Sequence, residues 1–161
     1  MIQRIQSIFL ILVIAALVSS VFFVFWVKSN SEAQEAVNLT AQEMVKIKLV
    51  DGKQEVVESS GNIYLFILPL VIAGIALYSL FQYKNRLRQM QLGAACSLLM
   101  GVTLALGMWR YTQMDQLIET ATHDFPGIGF FALVSAMLFN LSANRFIRKD
   151  EKLVKSMDRI R

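Results

Sequence analysis

Residues 5–27 read IQSIFLILVIAALVSSVFFVFWV and contain no charged side chain between Arg4 and Lys28. A helix rises about 1.5 Å per residue, so about 20 residues cross the roughly 30 Å hydrocarbon core of a bilayer. These 23 residues are long enough to do so. The apolar run is about twice the length of the apolar region of a signal peptide, so we interpret it as an uncleaved first span.

Three further blocks have the same character, at about residues 62–83, 89–109 and 126–145. Backbone amides in lipid must be hydrogen-bonded within their own segment, which favours helices. The continuous apolar runs exclude the alternating strands of a membrane β-barrel. The sequence therefore predicts an all-α membrane protein, a bundle of four transmembrane helices that forms one domain over residues 1–161.

The composition excludes several other classes of protein. Hydrophobic residues make up 55% of the chain and charged residues 17%, and the mean hydropathy is +0.50, whereas soluble domains carry about 25% charged residues. The single cysteine, Cys96, excludes an internal disulfide and CxxC chemistry, and the single histidine, His123, excludes a multi-histidine metal or haem site. We expect no cofactor, no metal and no enzymatic activity.

The distribution of basic residues predicts the orientation in the membrane. Short cytoplasmic loops carry an excess of Lys and Arg. Eleven of the 16 basic residues lie at the N-terminus, between the second and third blocks, and from Arg145 to the end of the C-terminal tail. Nine of the 12 acidic residues lie in the opposite loops, 28–61 and 110–125. We therefore expect a multi-pass protein of the inner membrane with both termini in the cytoplasm.

The first outer loop contains a pattern typical of a β-hairpin. Residues 44–58 read MVKIKLVDGKQEVVE, in which apolar and charged residues alternate on both sides of Asp51-Gly52. Such alternation around Asp-Gly is a strong hairpin signal. A lone hairpin is marginally stable, so we expect it to pack on the membrane surface, on the third loop or on a partner protein.

The other loop segments predict helices. Residues 31–43 are typical of a short polar helix, and apolar residues at helical spacing over 114–121 predict an amphipathic helix that could continue the third span. His123-Asp124 follows it. An adjacent histidine and carboxylate could form a proton site, but two neighbours in a loop are more typical of a solvated turn.

Small residues at four-residue spacing predict where the third and fourth helices pack, because they allow close approach of helices in lipid. We expect Asn140 to hydrogen-bond across this interface. The helix-packing candidates are Gly93, Ser97, Gly101, Ala105, Ala132, Ala136 and Asn140.

The tail over residues 146–161 predicts a basic amphipathic helix on the cytoplasmic side. It could anchor the chain on the anionic leaflet or dock a cytoplasmic partner. Without a fold that positions bases, nucleic acid is not an expected partner. The partner-docking candidates are Lys152, Lys155, Arg159 and Arg161.

Both ends of the chain resemble a known family. The stretches MIQRIQ (residues 1–6) and IRKDEKLVKSMDRIR (residues 147–161) are similar to those of a domain-of-unknown-function family of small four-span inner-membrane proteins from Gram-negative bacteria. The resemblance covers the whole chain. It implies a four-helix integral membrane fold, with no assigned activity and no catalytic residues.

Two functions follow from these patterns. The first is a non-enzymatic accessory or scaffolding subunit that acts through other membrane proteins or as a homo-oligomer. The alternative is a small transporter or a lipid-handling protein. Transporters usually carry ionisable groups within their spans, and none lies between the flanking charges of any block.

Overall fold

The computed structural model describes residues 2–50, 53–83, 85–118 and 122–158. Within these residues the chain forms four helices and five strands. The helices are α1 (Ile2–Phe22), α2 (Ile63–Phe81), α3 (Arg86–Leu117) and α4 (Ile128–Asp158). The strands are β1 (Trp26–Asn30), β2 (Glu35–Leu39), β3 (Glu43–Val50), β4 (Lys53–Gly61) and β5 (His123–Pro126).

The prediction of an all-α fold with one small hairpin is wrong. All five strands form a single antiparallel sheet in the order β4-β3-β2-β1-β5. The hairpin over 44–58 is present as β3 and β4, and its Asp51-Gly52 turn lies outside the described residues. Strand β3 of the hairpin pairs with β2, β2 pairs with β1, and β1 pairs with β5 of the third loop. The number of helices agrees with the prediction, and each is long and apolar enough to cross a membrane by length and composition.

Helix α1 is shorter than the apolar block suggested. It ends at Phe22, and β1 begins at Trp26, so the last residues of the predicted span 5–27 lie in the sheet. Residues 31–43, expected to form a polar helix, contain β2 instead. A tight turn precedes that strand: the Asn30 side chain accepts the backbone N–H groups of Glu32 and Ala33, and Gln34 has a φ of 53°.

The third loop completes the sheet. His123 and Asp124, expected to lie in a solvated turn, belong to β5, which pairs with β1 from Trp26 opposite Pro126 to Ser29 opposite His123. The first loop, which contains β1, is therefore hydrogen-bonded to the third loop, which contains β5. On either side of β5, α3 runs unbroken to Leu117, and α4 continues from the fourth span through most of the tail to Asp158.

One apolar core runs through the bundle and the sheet. In the bundle it contains Val13, Leu17, Ile72, Met100 and Leu133, each at most 1% exposed. The inner face of the sheet joins the same core through Val37, Leu39 and Met44, which pack with Met114 and Ile118 near the end of α3. The sheet is therefore built onto one end of the bundle.

The junction between α1 and α4 depends on close backbone contact. The N–H of Gly127 donates to the carbonyl of Phe25, and the N–H of Gly129 donates to the carbonyl of Val24, both at 2.9 Å. A β-carbon on Gly127 would overlap the carbonyl oxygen of Val24. Only glycine allows this approach.

We predict that Gly127→Ala destabilises the protein by about 1–3 kcal/mol, because backbone must move to admit the methyl group. Thermal unfolding in a mild detergent measures the effect. Gly74→Ala is the control: nothing lies within 4 Å of its β-carbon position in α2, and alanine is preferred in helices by about 1 kcal/mol. Equal melting temperatures for the two variants would contradict this account of the junction.

Candidate functional site

A buried lysine lies between the sheet and α3. The side chain of Lys28 on β1 is only 3% exposed. Alternate residues of a strand face the same side, so Lys28 lies on the inner face with its cross-strand partners Val37 and Asp124. Its Nζ donates a hydrogen bond to Asp115 of α3 and lies 3.6 Å from Asp124 Oδ2. It also lies 4.1 Å from the centre of the Tyr111 ring, a cation–π contact.

Asp124 is held from two other sides. The Trp26 indole N–H donates to one carboxylate oxygen, and the Tyr111 hydroxyl donates to the other at 2.7 Å. The rings of Trp26 and Tyr111 are in contact, with centroids 4.5 Å apart. Together these five side chains join β1, β5 and α3, and we call them the Lys28 cluster: Trp26, Lys28, Tyr111, Asp115 and Asp124.

In the Lys28 cluster, the pKa values of Lys28 and Asp124 both favour the charged form of the side chain. Burial alone would lower the pKa of Lys28, but the hydrogen bonds to Asp115 and Tyr111 and the charge of Asp124 raise it above the ordinary value. Burial would raise the pKa of Asp124, but hydrogen bonds from Trp26 and Tyr111 and the charge of Lys28 hold it below the usual range. Both shifts move away from neutral pH, where a general acid or base needs its pKa. The geometry therefore favours a structural clamp.

The hypothesis of a proton site at His123-Asp124 gains no support from this geometry. Both oxygens of Asp124 are engaged by Trp26 and Tyr111. The exposed His123 ring stacks on Phe125, with centroids 5.8 Å apart.

A second set of ion pairs ties the sheet to the end of α3. Glu35 Oε2 lies 3.0 Å from Lys46 Nζ, and Glu35 Oε1 lies 3.1 Å from Lys48 Nζ. Hydrogen bonds from these two lysines lower the pKa of Glu35. Lys46 also donates to the carbonyl of Leu117 at 2.8 Å, so it satisfies one of the last carbonyls of the helix.

The opposite face and one edge of the sheet are open. Within the described residues no strand pairs with the outer edge of β4, and nearly all of β4 is exposed. Val56 and Val57 on this strand are 64% and 58% exposed. On the outer face lies a groove of about 440 Å³. Its lining includes Ala36, Asn38, Ile47, Leu49 and Gln54.

The helix-packing candidates meet over part of their length. The Asn140 amide donates to the Gly93 carbonyl and to the Ser97 hydroxyl, both at 2.8 Å. Ala136 is fully buried and Ala132 is half-buried. Gly101 has open space at its β-carbon position and Ala105 is exposed. The close contact of α3 with α4 thus lies around Asn140, while α4 makes its most extensive helix contact with α1.

Of the partner-docking candidates, Lys152 lies at the end of the bundle opposite the sheet. Lys152 is exposed on α4 and lines a cleft between α3 and α4. Lys155 belongs to α4, and its side chain is outside the described part of the structure, as are Arg159 and Arg161 entirely.

The Lys28 cluster was not among the candidates. Its signal in the sequence is a lysine two residues after Trp26, which alternation would place on the same strand face.

A family model described as "Domain of unknown function (DUF4293)" matches residues 2–160. The chain belongs to this family. The match confirms the resemblance to a family of unknown function and spans every helix and strand, so the sheet and the bundle lie in one family unit. No curated protein matches the chain.

We predict that Lys28→Met destabilises the protein by about 1–3 kcal/mol, the range for losing hydrogen bonds to charged groups. The cost stays moderate because Asp115 is 60% exposed and water can solvate it. Unfolding in detergent measures the change. Lys48→Met is the control, since the Lys48 side chain is 47% exposed and Glu35 retains its ion pair with Lys46. We expect the control to change stability by less than about 0.5 kcal/mol.

We predict an acid-dependent loss of stability that depends on Asp124. Because its pKa is lowered by folding, the ionised carboxylate stabilises the folded state above its ordinary pKa of 3.8. This contribution disappears as the pH falls through the folded-state value. Asp124→Asn should show a smaller drop in melting temperature between pH 6 and pH 3 than the wild type, since the amide does not titrate. The exposed Glu55→Gln should retain the wild-type drop; if both variants behave alike, Asp124 has no special role.

Proposed function

We propose that this chain is an integral inner-membrane protein that acts as a non-enzymatic accessory subunit, using its sheet to bind an extended segment of a protein partner outside the bilayer. The observation that carries the proposal is the open edge of β4 beside the outer groove. Membrane integration, orientation and partner binding are its three parts, and each has its own support.

The surface of the helices supports integration into a bilayer. In the most apolar 18-residue window of each helix, only 28–33% of the residues are buried inside the protein. The outward-facing residues are large and apolar, including Phe22, Phe81 and Leu98 at 75%, 67% and 68% exposed. A contiguous apolar surface of this kind is rare on soluble monomers and needs lipid or another protein to cover it.

The charges at the two ends support the orientation. Among the residues that the structure describes, the sheet end carries most of the acids, and the opposite end carries most of the lysines and arginines. Since cytoplasmic loops carry an excess of basic residues, this distribution supports an orientation with both termini inside and the sheet outside.

The β4 edge supports the mode of partner binding. An exposed edge strand presents unpaired N–H and C=O groups that an extended peptide can pair with as an added strand. Strand β4 has nine residues, whereas the other edge strand, β5, has four and ends at Pro126. Val56 is paired with Ile47, so the β4 edge is continuous with the outer groove that contains Ile47 and Leu49. Main-chain pairing would supply affinity, and the groove would select alternate side chains.

Photo-crosslinking in native membranes tests this mode of binding. A photoreactive amino acid at Val57 should give one discrete product with a different protein. Val56→Lys should reduce that product several-fold by placing a charge at the edge. A probe at Val71, 49% exposed on α2, is the matched control and should not give the same product.

Three results would contradict the proposal. A product that contains only a second copy of this chain would replace the accessory role with self-assembly. Recovery of the chain as a monomer after mild extraction, with no product at Val57, would remove partner binding. Release of the chain from membranes by alkaline carbonate would remove membrane integration.

A further inference from the structure

A cationic cleft lies between α3 and α4, at the end of the bundle opposite the sheet. Its volume is about 580 Å³. Of the eight described residues that line it, four are basic and none is acidic. The basic residues are Arg145, Arg148, Lys149 and Lys152, which follow one another on a single face of α4.

This arrangement of like charges needs a counter-charge. Pairs such as Arg145 with Lys149, and Arg148 with Lys152, are four residues apart, where like charges destabilise a helix. The nearby carboxylate of Asp150 is already engaged, since its Oδ2 lies 2.8 Å from Arg86 Nε of α3. That ion pair joins the two helices beside the cleft. The four basic side chains lining the cleft are therefore suited to an anion from outside the chain.

The rest of the lining is apolar or neutral. Ala94 and Ser97 line the cleft from α3, and Leu141 and Asn144 line it from α4. Leu141 precedes Asn144 and Arg145 in the helix, so it lies on the side that leads to the apolar middle. Leu141 is 50% exposed. A phosphate oxyanion matches the basic side chains, whether it is free or part of a lipid headgroup. An apolar wall adjoining them favours the lipid, because an acyl chain can cover Leu141 and Ala94.

We propose that this cleft binds one anionic glycerophospholipid of the cytoplasmic leaflet. The phosphate lies among Arg145, Arg148, Lys149 and Lys152, and an acyl chain runs along α3 and α4. The inference rests on the membrane integration proposed above and is independent of the partner at β4.

Native mass spectrometry of the full chain in detergent tests this site. Phosphatidylglycerol should bind more tightly than phosphatidylcholine, since each basic residue near an anionic headgroup contributes about fivefold in affinity. Replacing two basic residues, in Arg148→Gln with Lys152→Gln, should therefore weaken phosphatidylglycerol binding about 25-fold. Arg88→Gln removes a charge from the same end of the bundle outside the cleft and should leave binding within about twofold of wild type.

A pair of size variants separates the cleft from general charge attraction. Ala94→Trp fills the cleft and keeps every charge, so it should abolish phosphatidylglycerol binding. Ala95→Trp is the control, because Ala95 is an exposed neighbour that does not line the cleft. Equal binding by both tryptophan variants would overturn the site.

Competition with inorganic phosphate distinguishes a lipid phosphate from a free phosphate ion as the ligand of the cleft. Millimolar phosphate should not displace phosphatidylglycerol, because it makes no contact with the apolar wall. If phosphate competes fully, the cleft is an ion site and the lipid proposal fails. A protein that resists carbonate extraction yet binds no anionic lipid would refute this site and leave membrane integration standing.

Discussion

The ion pairs and hydrogen bonds of the buried Lys28 ammonium are the interactions on which the arrangement of the sheet depends. A lysine only 3% exposed needs partners, because an unpaired charge away from water is costly. Its partners come from a second strand and from a helix that are far away in the chain, at Asp124 and Asp115. Satisfying one charge therefore fixes the position of β5 against β1 and of the sheet against α3.

The sheet is joined to the bundle by apolar packing as well as by the contact of Lys28 with Asp115 of α3. The inner face of the sheet shares its apolar core with the helices through Val37, Leu39 and Met114. Apolar packing is not directional, whereas the hydrogen bonds of Asp124 to Trp26 and Tyr111 specify one register. The core provides most of the burial, and the Lys28 cluster determines how the strands align.

The helices could be predicted from the sequence because their signal is local. A run of apolar residues such as 5–27 is long enough to identify a span without knowledge of its neighbours. The sheet could not be predicted in the same way. Strands β1 and β2 have only five residues each, and the pairing of Trp26 with Pro126 joins segments about a hundred residues apart. Trp26 and Val27 also extend the apolar run, which hid the end of α1 at Phe22.

For the candidate residues, too, sequence spacing predicted local properties but not contacts between distant segments. Asn140 was identified because an amide among apolar residues needs a partner, and it contacts Gly93 and Ser97. The extent of the contact around Asn140 was not foreseeable, since Ala105 has the right spacing but faces outward. The basic residues of the tail were visible as a charge run. That they line a cleft depends on how α3 and α4 lie against each other, which no spacing rule describes.

Helix α4 has a mechanical consequence. It contains 31 residues without a break, which corresponds to a rod of about 46 Å. One end is attached to the sheet through β5, and the other carries the basic residues of the tail. Because the helix is continuous, a displacement of the sheet by a few ångströms would also shift the basic end, without any change in the helix itself.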